Sequence, residues 1–377
     1  MTESIRSTTT AMDPFIDKGL LAGAVTFVAK DGEVVSTSAS GYANLENKVP
    51  MQVDSLFWVA SVTKPITSAA VLMLMEEGKL HLDDLLEDHL PEFANPWMIQ
   101  SESESERVLV RPQTRPTLRH LLTHTHGLQD APKGVPGSSL ASWVQAASLL
   151  PMLREPGSAW QYTAVGMSAL GRIVEKISGM TFDAFLDERF FKPMGMSDTT
   201  FYPNAEQIKR LATTYVLSEA GELTPHKIDF LDAELGSRKG RVKPEGGLFS
   251  TAQDMFRFYQ MLLNKGELDG KRYLKEETVK EMTSTQTGDL QTGFRDGKDK
   301  VSWGLGIWRV NEQADVCDVL TTGSFGHDGA FGNSLLCDPV NNLIMILMVQ
   351  RKGLNPMRDA VSFRHEFQKS VMAEFTP

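Results

Sequence analysis

Ser61 and Lys64 stand three residues apart in the segment Trp58-Val59-Ala60-Ser61-Val62-Thr63-Lys64-Pro65. A serine hydroxyl is a poor nucleophile until a base takes its proton. A lysine can be that base only where burial or a nearby cation lowers its pKa. Three residues of helix bring two side chains onto one face, so a helix beginning here would hold the lysine beside the serine. Its free N–H groups and dipole would also favour a developing alkoxide. Trp58, Val59 and Ile66 offer apolar surface that could desolvate Lys64. Ser-x-x-Lys occurs once in the chain. On this segment alone, a catalytic pair and a capping serine followed by a surface lysine are equally good readings. No serine is framed as Gly-x-Ser-x-Gly, so an α/β-hydrolase nucleophile elbow is not supported.

Other residues invite chemistry and carry less. His120 and His124 are one helical turn apart, with His126 beyond, yet there is no His-Glu-x-x-His and no carboxylate at ligand spacing. No metal site is expected there. The 18 methionines are dispersed and read as core filler. Glycine-rich phosphate loops are absent, so nucleotide binding has no support; no cofactor is expected. Cys317 and Cys337 read as buried thiols rather than a required disulfide.

The elements that must position Ser61 and Lys64 follow from patterning. Runs at 22–30 and 33–43 read as strands joined by Asp31-Gly32, a hairpin signal. Apolar residues from Pro65 to Glu77 recur at helical spacing, with Gly78 as the stop. Helices are expected at 117–124, 165–177, 181–191 and 252–264, the last capped by Ser250 or Thr251. The SESESE tract at 101–106 reads as a solvated loop. Strands return at 303–310, 318–325, 332–338 and 343–350, with a turn at Asn341-Asn342. A final helix spans about 357–375.

Strands at both ends and helices between imply a mixed α/β (α+β) fold: one antiparallel sheet built from both chain ends, flanked by helices, with a helical insertion. The expected division is 1–78 plus 271–377 for the sheet domain and 79–270 for the helical one, with a cleft between them.

The chain has 377 residues, 41% hydrophobic and 23% charged, the profile of a globular protein. Its net charge of −10 argues against a nucleic-acid partner. No segment is long and apolar enough to cross a membrane, and the N-terminus lacks a secretory pattern, so a cytoplasmic location is expected.

Around Ser61 the sequence resembles the β-lactamase-related serine hydrolases: class C β-lactamases, penicillin-binding DD-peptidases and the carboxylesterases similar to them. Residues 117–128, 156–201, 246–270 and 303–350 also read like that family, so the resemblance covers roughly 10 to 375. It implies an acyl-enzyme on Ser61 and the two-region fold reached above. The family's Tyr-x-Asn stands here as Tyr162-Thr163-Ala164, implying that Tyr162 shares proton handling with Lys64. Which of the two is the base stays open, since the pair would titrate together. The missing asparagine side chain would hold a substrate amide, so esters are favoured over β-lactams and peptides. The family's Lys-Thr-Gly or His-Thr-Gly matches His327-Asp328-Gly329. The resemblance makes His327 a catalytic-site residue and implies an oxyanion hole from the N–H groups of Ser61 and Ala330. Gly329 would admit substrate close to the backbone. Asp328 would repel a substrate carboxylate. The expected activity is therefore hydrolysis of short-chain esters. A D-amino-acid peptidase or amidase, a weak β-lactamase, and a non-catalytic binding protein on the same scaffold are the alternatives.

Overall fold

The structure is a computed structural model, described here for residues 8–131, 139–231, 234–238, 240–293, 300–313, 318–352 and 359–376. Its centre is an eight-stranded sheet. Three strands come from the N-terminal end: β1 (Gly23–Lys30), β2 (Glu33–Asn44) and β3 (Val49–Pro50). Five come from the C-terminal end: β4 (Val301–Trp303), β5 (Trp308–Val310), β6 (Phe325–Asp328), β7 (Ser334–Asp338) and β8 (Leu343–Met348). Their order is β4-β5-β6-β7-β8-β1-β2-β3. Every neighbouring pair is antiparallel, and β8 against β1 joins the two ends of the chain.

The turns follow the sequence signals. Asp31 and Gly32 both take positive φ, as a tight hairpin requires, and Asn342 does the same between β7 and β8. Strand β8 reads Leu-Ile-Met-Ile-Leu-Met and is buried throughout. Ile344, Ile346 and Met348 pack into one core, and Leu343, Met345 and Leu347 into another. An alternating strand would suffice for one covered face; this continuous apolar run needs helices on both.

Those helices are α1 (Thr63–Glu76), α2 (Val165–Ser178), α3 (Ala252–Leu263) and α4 (Asp359–Phe375). The first three build the larger core, in which Ile66, Leu170 and Phe258 are fully buried. Helix α4 closes the opposite face with Phe363, Phe367 and Val371. The Thr251 side chain accepts from the Asp254 N–H and starts α3, while Gly78, at φ 69°, follows α1.

Three local expectations are corrected. The run 303–310 is not one strand: a turn at Gly304–Ile307, with Gly306 at φ 72°, splits it into β4 and β5. Residues 318–324 form turns, and the strand begins only at Phe325. The acidic tract is exposed throughout, but only 103–106 is loop: Ser101 and Glu102 belong to a hairpin, Met98–Glu102 against Arg107–Val110, closed by a Glu102–Arg107 ion pair. Cys337 is buried as expected; Cys317 lies outside the described residues. No helix among the described residues is long and apolar enough to cross a membrane.

Candidate active site

The segment before α1 is what presents Ser61. Phe57 and Trp58 pair with Phe249 and Ser250 in a short antiparallel ribbon. The chain then turns through a 3₁₀ segment, Ala60–Val62, directly into α1. Ala60 takes φ 49°, a left-handed conformation that costs a non-glycine residue about 1 kcal/mol or more. Several bonds hold it there. The Val59 N–H donates to the Leu248 carbonyl at 3.0 Å, and the Thr63 hydroxyl donates to the Ala60 carbonyl at 2.7 Å. The Trp58 indole donates to the Gly246 carbonyl at 2.8 Å. Ser61 therefore sits one short turn ahead of α1 rather than in its first turn.

Lys64 is 3% exposed. Its Nζ lies 3.1 Å from Ser61 Oγ and donates to the Glu245 carbonyl at 2.6 Å. It also lies over the Tyr162 ring, 4.6 Å from the centroid. Burial lowers its pKa to about 7, against the opposing pull of the Glu245 and Asp130 carboxylates. At neutral pH a large share of Lys64 is thus the free amine. One of its hydrogens is held by Glu245, which leaves the lone pair for the Ser61 hydroxyl.

Tyr162 stands just before α2, its hydroxyl hydrogen-bonded to Ser61. Burial of that hydroxyl raises its pKa, only partly offset by the serine bond, so the phenol stays neutral. Asp130 fixes this segment by accepting from the Ala164 and Val165 N–H groups at 2.8 and 2.7 Å. The ring packs against His124 at 4.7 Å and Trp303 at 5.8 Å.

His327 is fully buried in β6, and its ring meets those of Trp303 and Tyr162 at 5.6 and 6.3 Å. Burial, reinforced by the Lys64 charge, pushes its pKa down to about 3, so it is a neutral imidazole at working pH. Its Nδ1–H faces the Asp328 carbonyl at 2.8 Å, leaving Nε2 as the acceptor. The strand's two-residue period turns Asp328 the other way. Its carboxylate lies 3.8 Å from the Arg364 guanidinium of α4, and its side chain is 7% exposed. Helix α4 thus supplies the Asp328 carboxylate with a counter-charge. Gly329 packs so closely that a Cβ there would come 2.8 Å from the Val59 carbonyl, which draws the end of β6 against the Ser61 segment. Ala330 follows on an exposed turn.

Known proteins resemble this chain in sequence and in fold. The beta-lactamase family profile matches residues 9–366. The chain belongs to the beta-lactamase family. Protein Rv1367c of Mycobacterium tuberculosis H37Rv is 33% identical over 356 residues, covering 89% of this chain and 87% of the relative. The lovastatin esterase of Penicillium rubens is 30% identical over 334 residues, covering 81% of this chain and 83% of the relative. Among solved structures, EstCE1, a hydrolase with promiscuous acyltransferase activity, superposes with a TM-score of 0.83. That match covers 98% of this chain and 99% of the other at 23% identity, a likeness of fold. The family's members are serine hydrolases, esterases and peptidases among them.

Within this beta-lactamase-family fold, Ser61, Lys64, Tyr162 and His327 gather around one point, with Gly329 and Ala330 at the end of β6 beside them. His120, His124 and His126 do not share a site. His120 caps a short helix with Thr117, and His124 stacks on Tyr162. The Leu128 N–H donates to Nδ1 of His126, whose Nε2 meets the Thr163 hydroxyl at 3.1 Å.

Sequence reasoning missed the residues that hold Lys64 in place. Beneath Lys64 lies a buried pair, Arg241 and Glu245, with side chains 4% and 2% exposed and 2.6 Å apart. The Ser168 hydroxyl of α2 donates to the same carboxylate at 2.8 Å. This network sets the Glu245 carbonyl that orients Lys64. Its only sequence signal is the i, i+4 spacing of opposite charges, which is common on solvated helices. Arg241→Met would strand the Glu245 charge in the core. Urea unfolding is expected to show a loss of about 3–5 kcal/mol; an unchanged midpoint would contradict the pair's role.

Proposed function

We propose that this protein is a carboxylesterase that hydrolyses short-chain, uncharged esters through an acyl-enzyme on Ser61. The observation that carries this reading is the 3.1 Å contact between Ser61 Oγ and a buried Lys64 whose pKa lies near 7. Lys64 takes the serine proton as Oγ attacks the ester carbonyl. The N–H groups of Ser61 and Ala330 receive the oxyanion, each such donor contributing on the order of 3 kcal/mol in hydrolases where it has been removed. The carbonyl–alkoxy bond then breaks, and the leaving oxygen takes the proton back from Lys64, with the neutral Tyr162 hydroxyl available as relay. Water attacks the acyl-enzyme by the same route in reverse and regenerates Ser61.

Two features support an ester without charge. Ala164 offers no side-chain partner to a substrate amide. The neutral His327 supplies no positive charge for a substrate carboxylate. The similarity to a lovastatin esterase agrees with this choice.

A fluorophosphonate reagent is expected to label the native protein once, at Ser61, as located by peptide mass spectrometry. The same preparation is expected to hydrolyse p-nitrophenyl butyrate and to lose that activity in step with labelling. Labelling elsewhere, or activity that survives full labelling of Ser61, would reject the reading.

A further inference from the structure

We infer that Arg364, on the C-terminal helix α4, is a positioning residue for the oxyanion hole, because one buried guanidinium ties down the turn that carries Ala330. The inference rests on the acyl-enzyme reading of Ser61. Arg364 is 6% exposed. Its Nε donates to the Gly332 carbonyl at 3.0 Å. Its Nη2 donates to the Gly329 and Asn333 carbonyls at 2.8 and 3.1 Å. Three of the five residues from Gly329 to Asn333 are thus bound through their carbonyls to a single planar group. Ala330 lies between them.

The same turn is tied to the nucleophile. Asn333 Nδ2 donates to the Trp58 carbonyl at 3.0 Å, and the Val349 N–H donates to Asn333 Oδ1 at 3.1 Å. Gln350 Nε2 donates to the Trp58 carbonyl as well, at 2.8 Å. The turn is therefore held from two sides. Asn333 holds the turn to the Ser61 segment, and Arg364 holds the turn's own shape from behind. Gly332, at φ 99°, makes the sharp reversal that lets the carbonyls face α4. A guanidinium suits this task because its donors are fixed in one plane; an ammonium has one compact head and cannot span three carbonyls.

An oxyanion donor displaced by a fraction of an ångström loses much of its effect in the transition state while substrate binding is little altered. Arg364→Lys keeps a cation near Asp328 and loses the spread of donors. Its expected signature with p-nitrophenyl butyrate is a fall in kcat of about 10- to 100-fold with KM within about threefold of wild type. The discriminating readout is the corresponding thionoester, whose developing charge sits on sulfur, a weak hydrogen-bond acceptor. Arg364→Lys is expected to lower thionoester turnover by less than about threefold. Arg364→Met is expected to show the same ester-selective loss at a temperature below its melting transition. Equal losses on ester and thionoester would assign Arg364 a purely structural role and overturn the inference. Unchanged ester turnover in Arg364→Lys would overturn it too. Failure of the wild type to acylate at Ser61 would instead strike the esterase reading, so the two failures are distinguishable.

Discussion

Ser61→Ala is expected to reduce hydrolysis of p-nitrophenyl butyrate by at least about a thousandfold while leaving the fold intact. The effect is large because the substitution removes the atom that would form the acyl bond, and neither of the two groups beside it is placed to replace it: Lys64 is held by Glu245, and Tyr162 stays a neutral phenol. The stability change is expected to be small, within about 1 kcal/mol, because Ser61 is only partly buried and the bonds that fix its turn come from Trp58, Val59 and Thr63. Turnover and thermal unfolding measured side by side check both halves. Residual activity within tenfold of wild type would remove Ser61 from the mechanism.

Lys64→Met is the second substitution with a large expected effect, and pH separates its causes. In the wild type, kcat/KM is expected to rise with pH through an apparent pKa of about 7 and then level, because only the free amine accepts the Ser61 proton. Below that pKa each unit of pH should cost about tenfold. Neither His327 nor His126 can supply this limb, since burial pushes both down to about 3. Lys64→Met should lower kcat/KM by roughly 10²- to 10⁴-fold and abolish the limb. Lys64→Arg should not rescue it, because a guanidinium does not give up its proton.

Lys64→Met should move stability in the opposite sense to activity. The folded pKa of Lys64 lies below its unfolded value of 10.5, so the folded state binds fewer protons between pH 7 and that value. The penalty for burying this lysine is present in full at low pH and fades as pH rises across that window. Lys64→Met should therefore unfold at higher urea than wild type at about pH 6, with the gap narrowing toward about pH 9. A gap that widens with pH would mean that burial does not depress the lysine.

Much of the fold can be read along the chain because its signals are local. Asp31-Gly32 and Asn341-Asn342 bend where their backbones tolerate positive φ, and Gly78 ends α1 for the same reason. The apolar runs of β1 and β8 assigned themselves to strands. Errors came where a local pattern was ambiguous. WGLGIWRV has the composition of one strand, but Gly304 and Gly306 fold it into two. The start of the acidic tract pairs because the residues flanking it have strand character, and the rest is the turn between them.

At the site, the sequence alone named the candidate reacting groups: the single Ser-x-x-Lys, and Tyr162 and His327 once the wider resemblance was recognised. These are matters of residue type and short spacing, which a linear chain displays directly. Tertiary structure decided everything that depends on what lies next to them. The depression of Lys64 comes from a core assembled by α1, α2 and the 241–248 segment, far apart in sequence. Asp328 faces Arg364 because strand alternation and the docking of α4 put it there. The turn carrying Ala330 takes its shape from a guanidinium more than thirty residues away. Burial, electrostatic environment and the aim of a backbone N–H are properties of packed neighbours, and the chain acquires those neighbours only by folding.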